Sequence, residues 1–197
     1  FMPEFSDIFL RKKSMAQLVR ERPSFSEGLT AFVLSVFITT IGMTLGYFFE
    51  NIISFFFGSK TILEVLFSPV WDFALHVFFI IPGLIGFVVL VFVYYVFGSV
   101  FGSKSSGFWQ FLSDYFIVAA AVGVFVGIFS VVPFLRHLLV LIVVLYGFFL
   151  FVVLIKEFFS ISFFRALIIW LVPTSFLAFL LGLVFLVLFG ASLFFSP

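Results

Sequence analysis

The chain has 197 residues, of which 64% are hydrophobic and 10% charged, whereas a soluble domain carries about 25% charged residues. A water-soluble fold of this size buries only about 70% of its extended surface, so this composition, with a mean hydropathy of +1.40, excludes an ordinary soluble globule and requires hydrocarbon as solvent. A formal net charge of +1 gives no case for nucleic acid, which demands clustered basic residues.

Length sets the number of spans. Each crossing of the roughly 30 Å hydrocarbon core takes about 20 residues, so five spans with short loops nearly exhaust the chain. The expected fold class is an all-α polytopic membrane helix bundle with five transmembrane helices and short amphipathic interfacial segments. Residues 1–27 form an amphipathic N-terminal segment and residues 28–197 the five-helix transmembrane domain.

Phe1 stands ahead of Met2-Pro3 and reads as an extra residue before the natural start. The first 27 residues lack the long apolar stretch of a cleavable signal peptide. Within 4–22, Phe5, Ile8, Phe9, Met15, Leu18 and Val19 supply an apolar side. Arg11, Lys12, Lys13, Arg20 and Arg22 surround it and are the expected contacts to anionic lipid headgroups if the segment lies on the membrane surface; the alternative is a plain polar tail. Pro23 breaks this element. Ser24 and Glu27 then have the spacing of a capping box, and the first span is expected over 28–49. An amphipathic piece with Glu50, Lys60 and Glu64, residues 51–68, is expected to rest on the membrane face.

The second span runs from about 70 to 97 and contains Pro82, where a kink is expected. Residues 98–113 are rich in Gly and Ser and read as a loop, with Ser113 as cap of a third span at 114–133. Pro133 and Arg136-His137 mark a tight turn into the fourth span at 137–155. Residues 158–164 read as an interfacial connector, and the fifth span covers 165–188 with Pro173 inside it. Basic residues flanking the spans set orientation. One side collects Arg11, Lys12, Lys13, Arg20, Arg22, Lys104, Lys156 and Arg165, the other only Lys60 and Arg136. That bias predicts a multi-pass protein of the cell membrane with a cytoplasmic N-terminus and its C-terminus on the outer side.

Helices in lipid associate by close backbone approach, because lipid is as apolar as leucine. Gly42 and Gly46 in the first span, and Gly123 and Gly127 beside Ala119-Ala120-Ala121 in the third, are four apart and are the expected helix-packing positions. Asp72 and His76 are also four apart, on one helix face near the start of the second span. They read as interfacial anchors or as a polar or ion site, since an ionisable residue at membrane depth is a functional hypothesis. Two ligands make a poor metal set, so no metal is expected. Asp114 reads as a first-turn acid stabilised by the helix dipole. Ser35, Thr39, Thr40 and Thr44 either bond to carbonyls one turn back or line a polar crevice.

The chain has 38 Phe against 5 Tyr and 3 Trp. The plain reading is apolar bulk rather than a functional aromatic stripe. The absence of Cys excludes disulfides, thiolate catalysis and Cys-ligated zinc or iron–sulfur centres. There is no HExxH, no GxSxG and no phosphate-binding glycine loop: the glycines of Gly98-Ser99-Val100-Phe101-Gly102-Ser103-Lys104-Ser105 are wrongly spaced. No catalytic residue and no cofactor are expected.

A further pattern lies in the order of features. Val19-Arg20-Glu21-Arg22-Pro23-Ser24-Phe25 leads into the first span. A Gly/Ser linker precedes an aromatic-rich helix between Gly98 and Tyr115, and a proline turn follows at Val132-Pro133-Phe134. Tyr146-Gly147-Phe148 is followed by Leu154-Ile155-Lys156-Glu157, by Ile161-Ser162-Phe163-Phe164-Arg165-Ala166, and by a span containing Val172-Pro173. Over nearly the whole chain this order resembles the prokaryotic type of the Yip1 domain family. The resemblance implies five spans and a cytoplasmic N-terminus. Eukaryotic members of that family are linked to vesicle traffic and prenylated small GTPases. The Asp-Leu-x-Gly-Pro type run that they carry before the first span is missing here, so that role is not carried over.

The leading functional expectation is a non-enzymatic membrane protein that shapes the bilayer or scaffolds membrane partners. The alternative is a small-solute or ion transporter or channel. Membrane lipids are the expected partners, with a homo-oligomer or other membrane proteins beside them, and no nucleic acid.

Overall fold

The computed structural model describes residues 15–103 and 106–195. The described chain is all-α. A short helix, α1 (Met15–Glu21), precedes five long ones: α2 (Phe25–Phe56), α3 (Ile62–Phe101), α4 (Phe108–Ser130), α5 (Arg136–Phe159) and α6 (Phe163–Phe195). Each of the five contains a stretch long and apolar enough to cross a membrane, so the fold is a polytopic membrane bundle.

The helices start where the sequence satisfies their free N–H groups. Ser24 and Glu27 form a reciprocal capping box at α2, and Thr61 and Glu64 form a second one at α3. At the latter, the Thr61 backbone N–H and then its hydroxyl hold the Glu64 carboxyl below the usual carboxylate range. Several boundaries differ from the sequence expectation. Helix α2 continues to Phe56 and α3 begins at Ile62, so residues 51–68 are the tip of a helical hairpin rather than a separate interfacial element. The 98–113 loop shrinks, because α3 continues to Phe101 and α4 begins at Phe108 with Gly107 as its N-cap. Ser113 is therefore inside α4 and not its cap. The 158–164 connector reduces to a turn closed by Ser160 in the left-handed conformation (φ 53°).

Helix α4 is central: 61% of its apolar window is buried inside the protein, against 33% or less for the other four. Its main partner is α2. A methyl group at Gly42 would collide with the Gly127 carbonyl, and one at Gly46 with the Ser130 carbonyl. Reciprocally, a Cβ at Gly127 would lie 2.8 Å from the Ile38 carbonyl oxygen. The two backbones touch with no side chain between them. At Gly123 the approach is looser, with Ser35 Oγ 3.1 Å from the position of a Cβ. Gly98 and Gly102 form another close approach, where added methyls would strike Phe159.

The rest of the core is aromatic. Phe111, Phe116, Phe158, Phe159 and Tyr94 are fully buried. Tyr115 stacks on Phe151 with ring centroids 4.4 Å apart, and Phe111 lies 4.8 Å from Phe158. Helix α1 packs on α5, and its Leu18 and Val19 are buried in this same cluster. The apolar side of this helix thus faces protein, whereas the sequence pattern alone suggested lipid. Residues 4–14, with Phe5, Ile8, Phe9, Arg11, Lys12 and Lys13, lie outside the described residues.

The α2–α4 approach predicts a sharp contrast between glycines. Gly127→Leu should destabilise the fold by about 1–3 kcal/mol through overpacking, read as a lowered unfolding midpoint in detergent. Gly182→Ala, where nothing lies within 4 Å of the added methyl, should be neutral or stabilising by up to about 1 kcal/mol from helix propensity.

Candidate functional site

The polar residues of the bundle gather at its two ends and along one groove. At the first end, Gln110 Nε2 donates to the Pro23 carbonyl at 3.2 Å and to Asp114 Oδ1 at 2.9 Å. Ser113 Oγ donates to the Ser24 carbonyl at 2.8 Å. These bonds clamp the α1–α2 junction onto the start of α4. Asp114 is not a first-turn acid. Because α4 starts at Phe108, Asp114 lies in its second turn and is fully buried, and its Oδ2 has no hydrogen-bond partner.

At the other end, Arg136 pairs with Glu50 at 2.8 Å, and its guanidinium lies 4.2 Å over the Tyr47 ring. Beyond this pair the α2–α3 hairpin overruns the ends of α4 and α5. Asn51, buried at 4% exposure, holds the hairpin together. Its amide donates to Ser68 Oγ at 2.6 Å and its oxygen accepts from Lys60. The hairpin tip exposes apolar surface, with Phe56 at 81% and Phe57 at 83% exposed and Ile62, Leu63, Phe67 and Trp71 alongside. His137 lies beside Arg136 and lines a recess of 350 Å³ with Tyr47 and Ser130.

The groove is a cavity of 750 Å³ between α2, the first half of α3, and α4. It brings His76 together with Ser35, Thr39 and Thr40, a grouping of residues the sequence could only suggest separately. Its chemistry is nevertheless apolar. Ser35 Oγ donates to the Phe32 carbonyl at 2.7 Å and Thr40 Oγ1 to the Val36 carbonyl at 2.8 Å. Thr39 Oγ1 crosses to the Gly123 carbonyl of α4 at 2.7 Å. All three hydroxyl protons are committed to backbone, and the remaining wall is Val33, Val36, Phe37, Leu75, Ile80 and Leu84. Asp72 sits one turn before His76 on α3, and its side chain lies outside the described residues. Among the described residues, no three of His, Asp and Glu converge as a metal site would require.

Sequence reasoning passed over Asn51, Gln110 and the Gly98/Gly102 pair. It also passed over Tyr94, whose hydroxyl lies 2.6 Å from Thr174 Oγ1 and joins α3 to α6. The Thr61-x-x-Glu64 spacing was a usable signal for the α3 start. The pairings themselves span 17 to 87 positions of sequence and leave no local trace. No protein-family model, curated protein or solved structure matches this chain.

The two threonines of the groove separate on mutation. Thr39→Val loses a bond between helices and should cost about 0.6–1.7 kcal/mol, the range for interhelical bonds in membranes. Thr40→Val loses a bond within its own helix and should cost clearly less. Unfolding midpoints of the two variants in the same detergent check the order.

Proposed function

We propose that this chain is a non-enzymatic, multi-pass membrane protein that shapes the bilayer or scaffolds membrane partners through its apolar outer surfaces. The observation that carries this reading is the α2–α3 hairpin. It overruns the bundle yet exposes Phe56, Phe57, Leu63, Phe67 and Trp71, a surface that needs lipid or another protein against it. The aromatic interior supports the same reading, since among the described residues its buried polar groups form no row for a solute to follow.

The five-span order with its amphipathic N-terminal segment agrees with a Yip1-type organisation. The charge bias supports an N-terminus in the cytoplasm, a C-terminus on the outer side and residence in the cell membrane. Arg20, Arg22, Lys156 and Arg165 flank one end of the spans, and Lys60 and Arg136 flank the other. Burial of Leu18 and Val19 gives α1 a bundle-packing role, so among the described residues insertion into the headgroup layer falls to the hairpin tip. Transport is the competing reading, because His76 shares a groove with Ser35, Thr39 and Thr40. Those hydroxyl protons go to carbonyls and most of the lining is apolar, which weighs against a hydrated path.

Reconstitution separates the two. Proteoliposomes should change in size or curvature with protein density, and replacing Phe56, Phe57 and Phe67 by Ser should weaken that change. Ion or small-solute flux above that of empty vesicles, lost in Asp72→Asn, would overturn the reading in favour of transport.

A further inference from the structure

We infer that the groove between α2, α3 and α4 seats one acyl chain of a bilayer phospholipid, taken in from the side and held with its methyl end toward Phe32. This goes beyond the proposed function, since a bound lipid chain requires no shaping activity and shaping requires no bound chain.

Depth is the first argument. The groove follows α2 from Met43 to Phe32, a helical rise of about 16 Å, or about half of a 30 Å hydrocarbon core. That is the reach of a chain belonging to one leaflet. Its Met43 end lies one turn from Gly46, which meets the last residue of α4, Ser130, so this end opens near the membrane boundary. Its other end is lined by Phe32. The Phe32 ring packs 5.1 Å from Phe87 and 4.9 Å from Phe116, and the latter two stack 5.7 Å apart, so packed rings back this end.

Chemistry is the second argument. At 750 Å³ the cavity is within the roughly 300–1,000 Å³ range of small-molecule sites. A water placed in it needs two to four polar partners, and besides His76 the wall offers only hydroxyls whose protons already go to carbonyls. Left empty, its lining would forfeit dispersion contacts on one side. The medium that borders it is hydrocarbon, because the outer wall is the exposed stretch of α3 from Leu75 to Gly83. At Gly83 and Gly86 no atom lies within 4 Å of an added methyl, so α3 has open space beside it at these two positions. Met43 also borders the recess lined by Arg136, so a guanidinium, already paired with Glu50, lies close to the open end as a donor for a phosphate headgroup.

The test is photolabelling of the full chain in phosphatidylcholine vesicles doped with a phosphatidylcholine bearing a diazirine on one acyl chain, with adducts mapped by mass spectrometry. Adducts on Val33, Val36, Phe37, Ile80 and Leu84 should exceed those on the exposed Leu138, Ile142 and Leu145 of α5 about tenfold. A diazirine near the chain terminus should label the Phe32 end, and one near the ester the Met43 end. Gly83→Trp, which fills the groove, should bring labelling down to the control level. Gly86→Trp, equally unhindered but outside the groove lining, should not, and it controls for folding. Labelling no higher than on α5, labelling unchanged in Gly83→Trp, or the reverse diazirine order would overturn the inference. So would crosslinks between two copies through groove residues.

Discussion

The contact of bare backbone between α2 and α4 is the constraint on which this bundle depends. In hydrocarbon there is no solvent-driven gain from burying leucine against leucine, so helices must gain from dispersion at short range and from polar contacts. Gly42, Gly46 and Gly127 remove the side chains that would hold the helices apart. Only at that separation can the Thr39 hydroxyl reach the Gly123 carbonyl. The groove is a consequence of the same geometry. Where α2 and α4 close completely on each other, α3 cannot follow both and stands away from them along Leu75–Gly83.

Charge is distributed with the same economy. Arg136 pairs with Glu50, Lys156 with Glu157, and Asn51 with Lys60 and Ser68, all of them near helix ends. Asp114 is the exception, a carboxyl within the protein and bonded on one oxygen only. Its partner Gln110 also holds the Pro23 carbonyl, so the polar group inside the bundle is tied to the point where α1 turns into α2. Between the two ends the interior is filled by rings. That accounts for part of the phenylalanine excess as packing, and the exposed Phe78, Phe164 and Phe179 account for part of it as lipid-facing bulk.

Much of the fold was legible in the sequence, because the signal that carries it is one of amount. Hydrocarbon thickness fixes the length of an apolar run, and five such runs read out directly. The capping box at Ser24 was legible too, since its chemistry is local. The boundaries at 51–68 and 98–113 were misread for a common reason. Polar and glycine residues that normally mark loops were used inside helices, Asn51 and Ser68 to bridge α2 and α3, and Gly98 and Gly102 to admit Phe159. Of the candidate site, the residue types were visible and the grouping was not. His76 and Thr39 become neighbours of one cavity through the antiparallel return of α3 along α2, which no spacing encodes.

The way α3 is fastened has a mechanical consequence. It is pinned near its beginning by Ser68 on Asn51 and at its far end by Gly98 and Gly102 against Phe159, with Pro82 between the two pins. A proline there omits one rung of the helical ladder, and the core packing of this helix begins just past it, with Leu84, Phe87 and Val88. Such a rod yields like a bow held at both tips: its softest deflection is outward at mid-height, into the plane of the membrane. The flank formed by the first half of α3 is therefore the compliant side of the molecule.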